Sequence, residues 1–204
     1  MNRRDFLTIS SAAALAELPL RSRTLPRSSR QLEQTPPNAT NRQPILVRAG
    51  FTRQPDGTNV ATSQQQTVVR SFDSGGRLSA FIVPVGDHEP YRGAPLHLHH
   101  DQDEWIHVVA GEFVAEVAGK RMRLKPGDSL PMPMKIPHRW SVAGETHCGA
   151  IHLYTPAGLM DVSWDTHQDQ NAPQTLEQRK AWFEQYGLTL LGDSLTKEEI
   201  DSTV

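Results

Sequence analysis

The stretch that decides the fold is "APLHLHHDQDEWIHVVAGE", residues 94–112, which contains four of the chain's nine histidines. His97 and His99 are two residues apart, so an extended backbone places both side chains on one face. His100 then faces the other way, and Glu104 follows after a turn-like segment. Three interpretations are open at this point: metal ligands, a solvated polar loop, or a proton relay.

The strand predicted to begin at Glu104 favours the metal-ligand interpretation. Ile106 and Val108 share the face of Glu104, whereas Trp105 and His107 take the opposite face. A loop that folds this strand back beside the first would bring two imidazoles and a carboxylate together. Those are the ligand types of non-haem iron, manganese, cobalt, nickel and zinc sites.

A fourth candidate ligand lies downstream, in "KPGDSLPMPMKIPHRW". His138 is framed there by Pro133 and Pro137, at the start of a predicted strand. It would complete a site of three imidazoles and one carboxylate that still leaves positions for water or a substrate.

The rest of the central region consists of short strand-like runs bounded by Gly, Pro, Asp or Asn. Strands this numerous and closely spaced predict an all-β sandwich or closed barrel. The predicted strand segments are 45–50, 66–72, 77–85, 104–111, 112–119, 120–125, 129–134, 138–143 and 149–156.

Helical patterns appear only near the end of the chain. Thr175 and Gln178 form a capping-box pattern before a helix that Gly187 would stop, and Thr196 with Glu199 predicts a last short turn. We expect the longer helix to cover the barrel and its aromatic residues to pack as core. Those aromatic residues are Trp182, Phe183 and Tyr186.

The amino terminus reads as a removable signal. Arg3 and Arg4 precede Asp-Phe-Leu and a short alanine-rich run, with Ala16 as the candidate cut site. This pattern resembles the twin-arginine export signal, which implies folding before export, contact with the export machinery and a periplasmic location. The predicted organisation is signal 1–27, proline-rich linker 28–44, barrel 45–170 and helical extension 171–204.

Composition excludes several classes of function. The chain has 204 residues and a net charge of -2, so neither nucleic acid nor an anionic membrane surface is electrostatically favoured. Cys148 is the one cysteine and is predicted to be a small buried residue rather than part of a disulfide.

The spacing of the candidate ligands resembles the cupin superfamily. His97, His99, Glu104 and Gly111 match its first motif, and the segment from Gly127 to His138 matches its second. The resemblance implies a cupin jelly-roll β-barrel that holds one divalent transition metal ion, which could be iron, manganese, nickel, cobalt, copper or zinc. "TPAG" at 155–158, followed by a helix, is similar to single-domain relatives of quercetin 2,3-dioxygenase.

Three positions depart from the cupin pattern. Tyr91 and Lys135 stand where glycines are expected, and Val142 stands where an asparagine is expected. These positions shape turns and do not bind the metal, so we expect the departures to change loop geometry more than metal binding. Lys135 is also a candidate cation facing the substrate.

The resemblance implies a metal-dependent dioxygenase acting on a small phenolic or enolic molecule. Glu104 would accept the substrate's hydroxyl proton, and Ile106, Val108 and Trp140 would line the pocket. The alternatives are a non-catalytic module that binds a metal or small ligand, and a metal-assisted isomerase or lyase. A homodimer through barrel faces is plausible for the family.

The remaining histidines are interpreted as surface or packing residues. The interpretation is least certain for His152, because an inward position on its strand would bring its side chain near the pocket. The set consists of His88, His100, His107, His147, His152 and His167.

Overall fold

The protein is described by a computed structural model that covers residues 44–62, 65–144, 147–158 and 175–204. The strands are β1 Phe51–Arg53, β2 Asn59–Ala61, β3 Gln66–Val69, β4 Ser79–Asp87, β5 Gly93–His99, β6 Asp103–Ala110, β7 Phe113–Val117, β8 Lys120–Leu124, β9 Ser129–Met132, β10 His138–Val142, β11 His147–Thr155 and β12 Leu188–Leu190. The helices are α1 Ser71–Ser74, α2 Leu176–Gln185 and α3 Lys197–Asp201.

Two five-stranded antiparallel sheets contain most of the strands. Their strand orders are β12-β5-β10-β7-β8 and β3-β4-β11-β6-β9, and β1 and β2 form a separate small pair.

The core lies between the inner faces of the two large sheets. Ile106 and Val108 of β6 are fully buried there, with Phe81 from β4 and with Phe113 and Trp140 from the opposite sheet. The alternation predicted for the strand after Glu104 is therefore confirmed. The all-β fold class is confirmed as well, because antiparallel sheets face each other as in a cupin jelly roll.

The predicted first strand, residues 45–50, is wrong. This segment is not a strand, and the first strand begins at Phe51. Ile45 and Leu46 are 44% and 66% exposed, so these two apolar residues are not buried in the core. The composition of the segment resembled a strand, but a strand also needs a partner for its backbone groups.

The predicted strand over 66–72 is too long. β3 ends at Val69, and α1 covers Ser71–Ser74. The carboxylate of Asp73 accepts the backbone N–H of Arg70 at 3.0 Å, which caps the helix and ends the extended backbone.

Both capping predictions near the carboxyl terminus are confirmed. Thr175 and Gln178 form a reciprocal capping box at the start of α2, and Thr196 and Glu199 do the same for α3. Helix α2 has no fully buried residue, yet Phe183 packs partly buried against the main core. The same is true of Tyr186.

Charged side chains attach α3 to the sheet that contains β7 and β10. The carboxylate of Glu199 accepts hydrogen bonds from Arg121 at 2.9 Å and from Arg139 at 2.8 Å. Glu116 of β7 also pairs with both arginines. Ile200 of α3 is fully buried in a small apolar cluster with Val114 of β7, so both polar and apolar contacts fix this helix.

Several sequence predictions lie outside the described residues. These are the export signal 1–27, the linker before residue 44, the boundary at 170–171 and His167. They stay predictions. Among the described residues, no helix is long and apolar enough to cross a membrane.

The two departures from expected glycines preserve the backbone that a glycine would adopt. Tyr91 and Lys135 both have φ of 63°, in the left-handed region. Tyr91 gains contacts in return, because the ammonium of Lys197 lies 3.1 Å from its hydroxyl and 4.8 Å from its ring centroid. The exposed side chain of Lys135 has no such contact among the hydrogen bonds and ion pairs of the described residues.

We expect Lys135→Gly to raise the free energy of unfolding by about 1 kcal/mol. A side chain in the left-handed region costs roughly 1–2 kcal/mol, and the extra freedom of glycine in the unfolded chain offsets part of the gain. Urea unfolding of the metal-free protein measures the difference. Lys135→Ala removes the charge but keeps Cβ, so it should match the wild type; equal stabilisation by both changes would contradict the backbone explanation.

Candidate metal centre

The four predicted ligands reach one place from three strands. His97 and His99 end β5, Glu104 lies on β6, and His138 begins β10. Because β5 and β10 are antiparallel neighbours with His138 opposite His97, pairing brings these two imidazoles together. The short segment after His99 then crosses to the other sheet and delivers Glu104.

The ligand atoms converge closely. Nε2 of His97 lies 3.2 Å from Nε2 of His99. Oε2 of Glu104 lies 3.2 Å from Nε2 of His138 and 3.3 Å from Nε2 of His99. One ligand atom from each of the four residues lies within 4.8 Å of the others, and all four residues are buried. The structure therefore brings together the four residues predicted from sequence.

Hydrogen bonds on the far side of two rings fix which nitrogen faces the centre. Nδ1 of His97 lies 2.7 Å from the carbonyl oxygen of Pro95, and Nδ1 of His138 lies 2.9 Å from that of Ile136. A carbonyl oxygen can only accept, so each Nδ1 carries the hydrogen. Each Nε2 thus presents a lone pair to the centre, as a metal-binding histidine does.

His99 is oriented by a side chain instead. Its Nδ1 lies 3.4 Å from Oε1 of Gln102. The amide nitrogen of Gln102 donates to the carbonyl oxygen of Pro156 at 3.0 Å, which turns Oε1 toward the ring. Gln102 was not among the predicted site residues, although it lies only three residues beyond His99.

The electrostatics of the site keep the carboxylate charged. Burial alone would raise the pKa of Glu104, but its contacts with His138, His152 and His99 outweigh burial and hold the pKa well below its usual range. Burial, together with neighbouring His138 and His99, lowers the pKa of His97 to about 3. Burial also acts to lower the pKa of His138, yet its contact with Glu104 raises it.

This arrangement fits a divalent transition metal ion. Three imidazole nitrogens and one carboxylate oxygen, oriented before binding, suit iron, manganese, cobalt, nickel, copper or zinc. Bringing several lone pairs together in a buried place is unfavourable unless a cation shares them. The metal would be held by His97, His99, Glu104 and His138.

The predicted pocket residues lie at different depths. Ile106 and Val108 are 0% exposed and Trp140 is 6% exposed, all between the two sheets. Lys135 is exposed, although its backbone N–H donates to the carbonyl oxygen of His99 at 2.7 Å. Their contact with a substrate, and the proton-accepting role of Glu104, stay predictions.

His152 is more than a packing residue. Its Nδ1 lies 2.9 Å from Oε1 of Glu104, and the side chain is fully buried. The hydroxyl of Tyr154 donates to the same oxygen at 3.1 Å, and this tyrosine was not predicted at all. The alternation of "AIHLY" carried the signal, because Ala150, His152 and Tyr154 share one face of β11.

The other described histidines lie away from the centre. His88 contacts the carbonyl oxygen of Pro84, and His107 contacts the hydroxyl of Ser129. His100 lies 2.8 Å from Oγ1 of Thr189 on the opposite side of β5. The exposed side chain of His147 lies beside Asp87, so these four have no part in the ligand set.

Comparison with known proteins agrees with this geometry. Residues 84–154 match the family model described as a cupin domain. The matched residues run from β4 to β11 and include all four candidate ligands. No curated protein sequence matches the chain.

Solved structures with similar folds include two that are described as cupin or cupin-like proteins. KdgF from Halomonas sp. is 26% identical, with 45% of this chain and 76% of that chain covered and a TM-score of 0.39. A cupin-like protein from Thermotoga maritima is 18% identical, with 76% and 90% covered and a TM-score of 0.46. A cupin protein from Bacteroides fragilis is 19% identical, with 48% and 83% covered and a TM-score of 0.37.

Proposed function

We propose that this protein is a metal-dependent dioxygenase that acts on a small phenolic or enolic substrate. The observation that supports it most is the preoriented set of three imidazoles and one carboxylate within 4.8 Å of one another, inside an apolar barrel. When bound there, a divalent ion supplies Lewis-acid stabilisation to an enolate or phenolate oxygen and a place for dioxygen.

The protein's own residues would position the substrate and manage its proton. Ile106, Val108 and Trp140 provide apolar surface that excludes water and suits a planar ligand. Oε2 of Glu104 faces the imidazoles and the place of the ion. On loosening its hold on the ion, this oxygen would take up the substrate's hydroxyl proton.

The proposal includes export of the folded protein through the twin-arginine route. Support comes from Arg3, Arg4 and the short apolar run after them. Folding in the cytosol would let the metal be acquired before export, so the site would be filled from the cytosolic metal supply.

Burial of the ligands favours a second candidate, a non-catalytic module that binds a metal or a small ligand. His99 and His138 are 0% exposed, and His97 is 5% exposed with the ring of Phe183 5.8 Å away. Such shielding would slow metal exchange.

A metal-assisted isomerase or lyase ranks third, because basic residues lining the pocket would favour it. Arg70 is the one lysine or arginine among the buried residues described, and its side chain donates to the carbonyl oxygen of Arg53.

Oxygen uptake separates these candidates. The protein is loaded separately with iron, manganese, nickel, cobalt and copper and assayed aerobically on flavonols and other enediols, with metal-free protein as control. Metal-dependent uptake is the expected result. Absence of uptake with every ion and compound would overturn the dioxygenase proposal; turnover under nitrogen would indicate an isomerase or lyase, and binding alone a storage or sensing module.

A further inference from the structure

Two side chains on β11 contact the metal-site carboxylate without being ligands themselves. Tyr154 is the cross-strand partner of Glu104 in the β11–β6 pair, and His152 lies two residues earlier on the same face. Both contact Oε1 of Glu104, at 2.9 Å for Nδ1 of His152 and 3.1 Å for the tyrosine hydroxyl. Neither contact reaches Oε2.

The surroundings of His152 are otherwise apolar. Its ring stacks on Phe81 at a centroid distance of 4.3 Å and lies 4.6 Å from the ring of Trp140. Its Nε2 is buried without a hydrogen-bond partner in the described structure. Burying an imidazole in such a place costs free energy that an apolar ring would avoid. The contact with Glu104 is therefore the polar interaction that explains a histidine at this position.

The two oxygens of Glu104 have separate partners. Oε2 faces Nε2 of His99 and of His138, and these nitrogens would turn their lone pairs to a bound ion. The hydrogen bonds to Oε1 involve atoms outside the ligand set, so they persist when the ion binds. Swinging Oε1 onto the ion would break both bonds to a charged, buried oxygen, which are among the stronger hydrogen bonds in proteins.

We propose that His152 and Tyr154 are positioning residues that hold Glu104 as a one-oxygen ligand. A carboxylate fixed in this way occupies one coordination position instead of two. The ion then keeps a position for a substrate oxygen or for dioxygen. This inference rests on the metal binding of the proposed function and explains how the site would stay open to substrate.

Two substitutions of His152 separate positioning from packing. His152→Phe keeps a planar ring between Phe81 and Trp140 but removes the donor to Glu104. His152→Asn loses the ring but keeps an amide N–H close to the place of Nδ1. Tyr154→Phe removes only the hydroxyl, and His107→Phe is the matched control on the outer face of the barrel.

The measurements are cobalt affinity and the visible absorption spectrum of the cobalt-loaded protein. We expect His152→Phe and Tyr154→Phe to weaken affinity about 10- to 100-fold, as loss of outer-shell partners does. Their spectra should change toward higher coordination number, because Oε1 becomes free to bind. His152→Asn should retain the wild-type spectrum despite lower thermal stability, and His107→Phe should match the wild type in both readouts.

The outcomes distinguish this inference from the proposed function. Wild-type protein that binds no cobalt would overturn both. Wild-type binding with unchanged affinity and spectrum in His152→Phe and Tyr154→Phe would overturn the positioning role alone. A spectrum that changes in His152→Asn and not in His152→Phe would assign His152 to packing, which also overturns the inference.

Discussion

The double substitution His97→Ala/His99→Ala is expected to reduce bound metal from one ion per chain to background. The two imidazoles supply half of the four ligand atoms, and their Nε2 atoms lie 3.2 Å apart at the centre of the site. After both substitutions only His138 and Glu104 remain as protein ligands. The site is buried, so water molecules would not readily replace the two missing imidazoles as ligands. Metal content after loading and desalting measures the loss for each of the six candidate ions.

The control for this experiment comes from the same motif. His100→Ala/His107→Ala also removes two histidines, but both side chains lie outside the ligand set. We expect this variant to keep its metal. Thermal unfolding gives a second readout, since a ligand that binds only the folded state raises the melting temperature. Added metal should stabilise the wild type and the control, but not His97→Ala/His99→Ala. Full metal retention in that variant would refute the ligand assignment.

The ligand set could be predicted because short-range rules determine most of it. A two-residue period places His97 and His99 on one face, and the same period joins Glu104 to Ile106. His138 is distant in sequence, and it was predicted from its place at the end of the segment that resembles the second cupin motif, which begins at Gly127. The structure places one candidate ligand atom from each of the four residues within 4.8 Å of the others, so these rules were sufficient to predict that the residues converge.

The residues around Glu104 could not be predicted in the same way. Contact of His152 and Tyr154 with Glu104 depends on the register between β11 and β6, which pairs residues about fifty positions apart. Local periodicity shows which residues share a face, but it does not show which neighbouring strand they meet or at which position. The alternation of side chains along the strand could therefore indicate that His152 lies near the pocket, but it could not predict the contact with Glu104.

Tyr91 and Lys135 show a different limit of sequence reasoning. Loss of a motif glycine suggested altered loops, yet both residues keep φ of 63°. At Lys135 the surrounding structure determines the backbone conformation, because the N–H of Lys135 donates to the carbonyl oxygen of His99. A tertiary contact of this kind overrides the local preference of the residue, so the departure from the motif did not change the turn.

Gly93→Ala is expected to destabilise the protein by roughly 3 kcal/mol or more, or to prevent folding. A Cβ at this position would lie 1.9 Å from the carbonyl oxygen of Trp140 and 2.5 Å from Cα of Ser141. Both are backbone atoms of β10, so no side-chain rotation relieves the contact. β5 and β10 would have to separate, and together they carry His97, His99 and His138. Urea unfolding of the metal-free protein measures the stability, and cobalt titration of the folded fraction measures the site.

Gly86→Ala is the matched control, because this glycine lies in β4 and a Cβ there would meet nothing within 4 Å. Its free energy of unfolding should remain within about 1 kcal/mol of the wild-type value, on the stabilising side.

Separation of β5 from β10 also predicts that metal affinity falls in Gly93→Ala even under conditions where the variant is folded, whereas Gly86→Ala keeps wild-type affinity. Equal stability and equal affinity in the two variants would show that β5 does not approach β10 as closely as the structure has it. A stable Gly93→Ala protein with weakened affinity would place the adjustment at the ligand end of β5, where the register with β10 already shifts between His138 and Trp140.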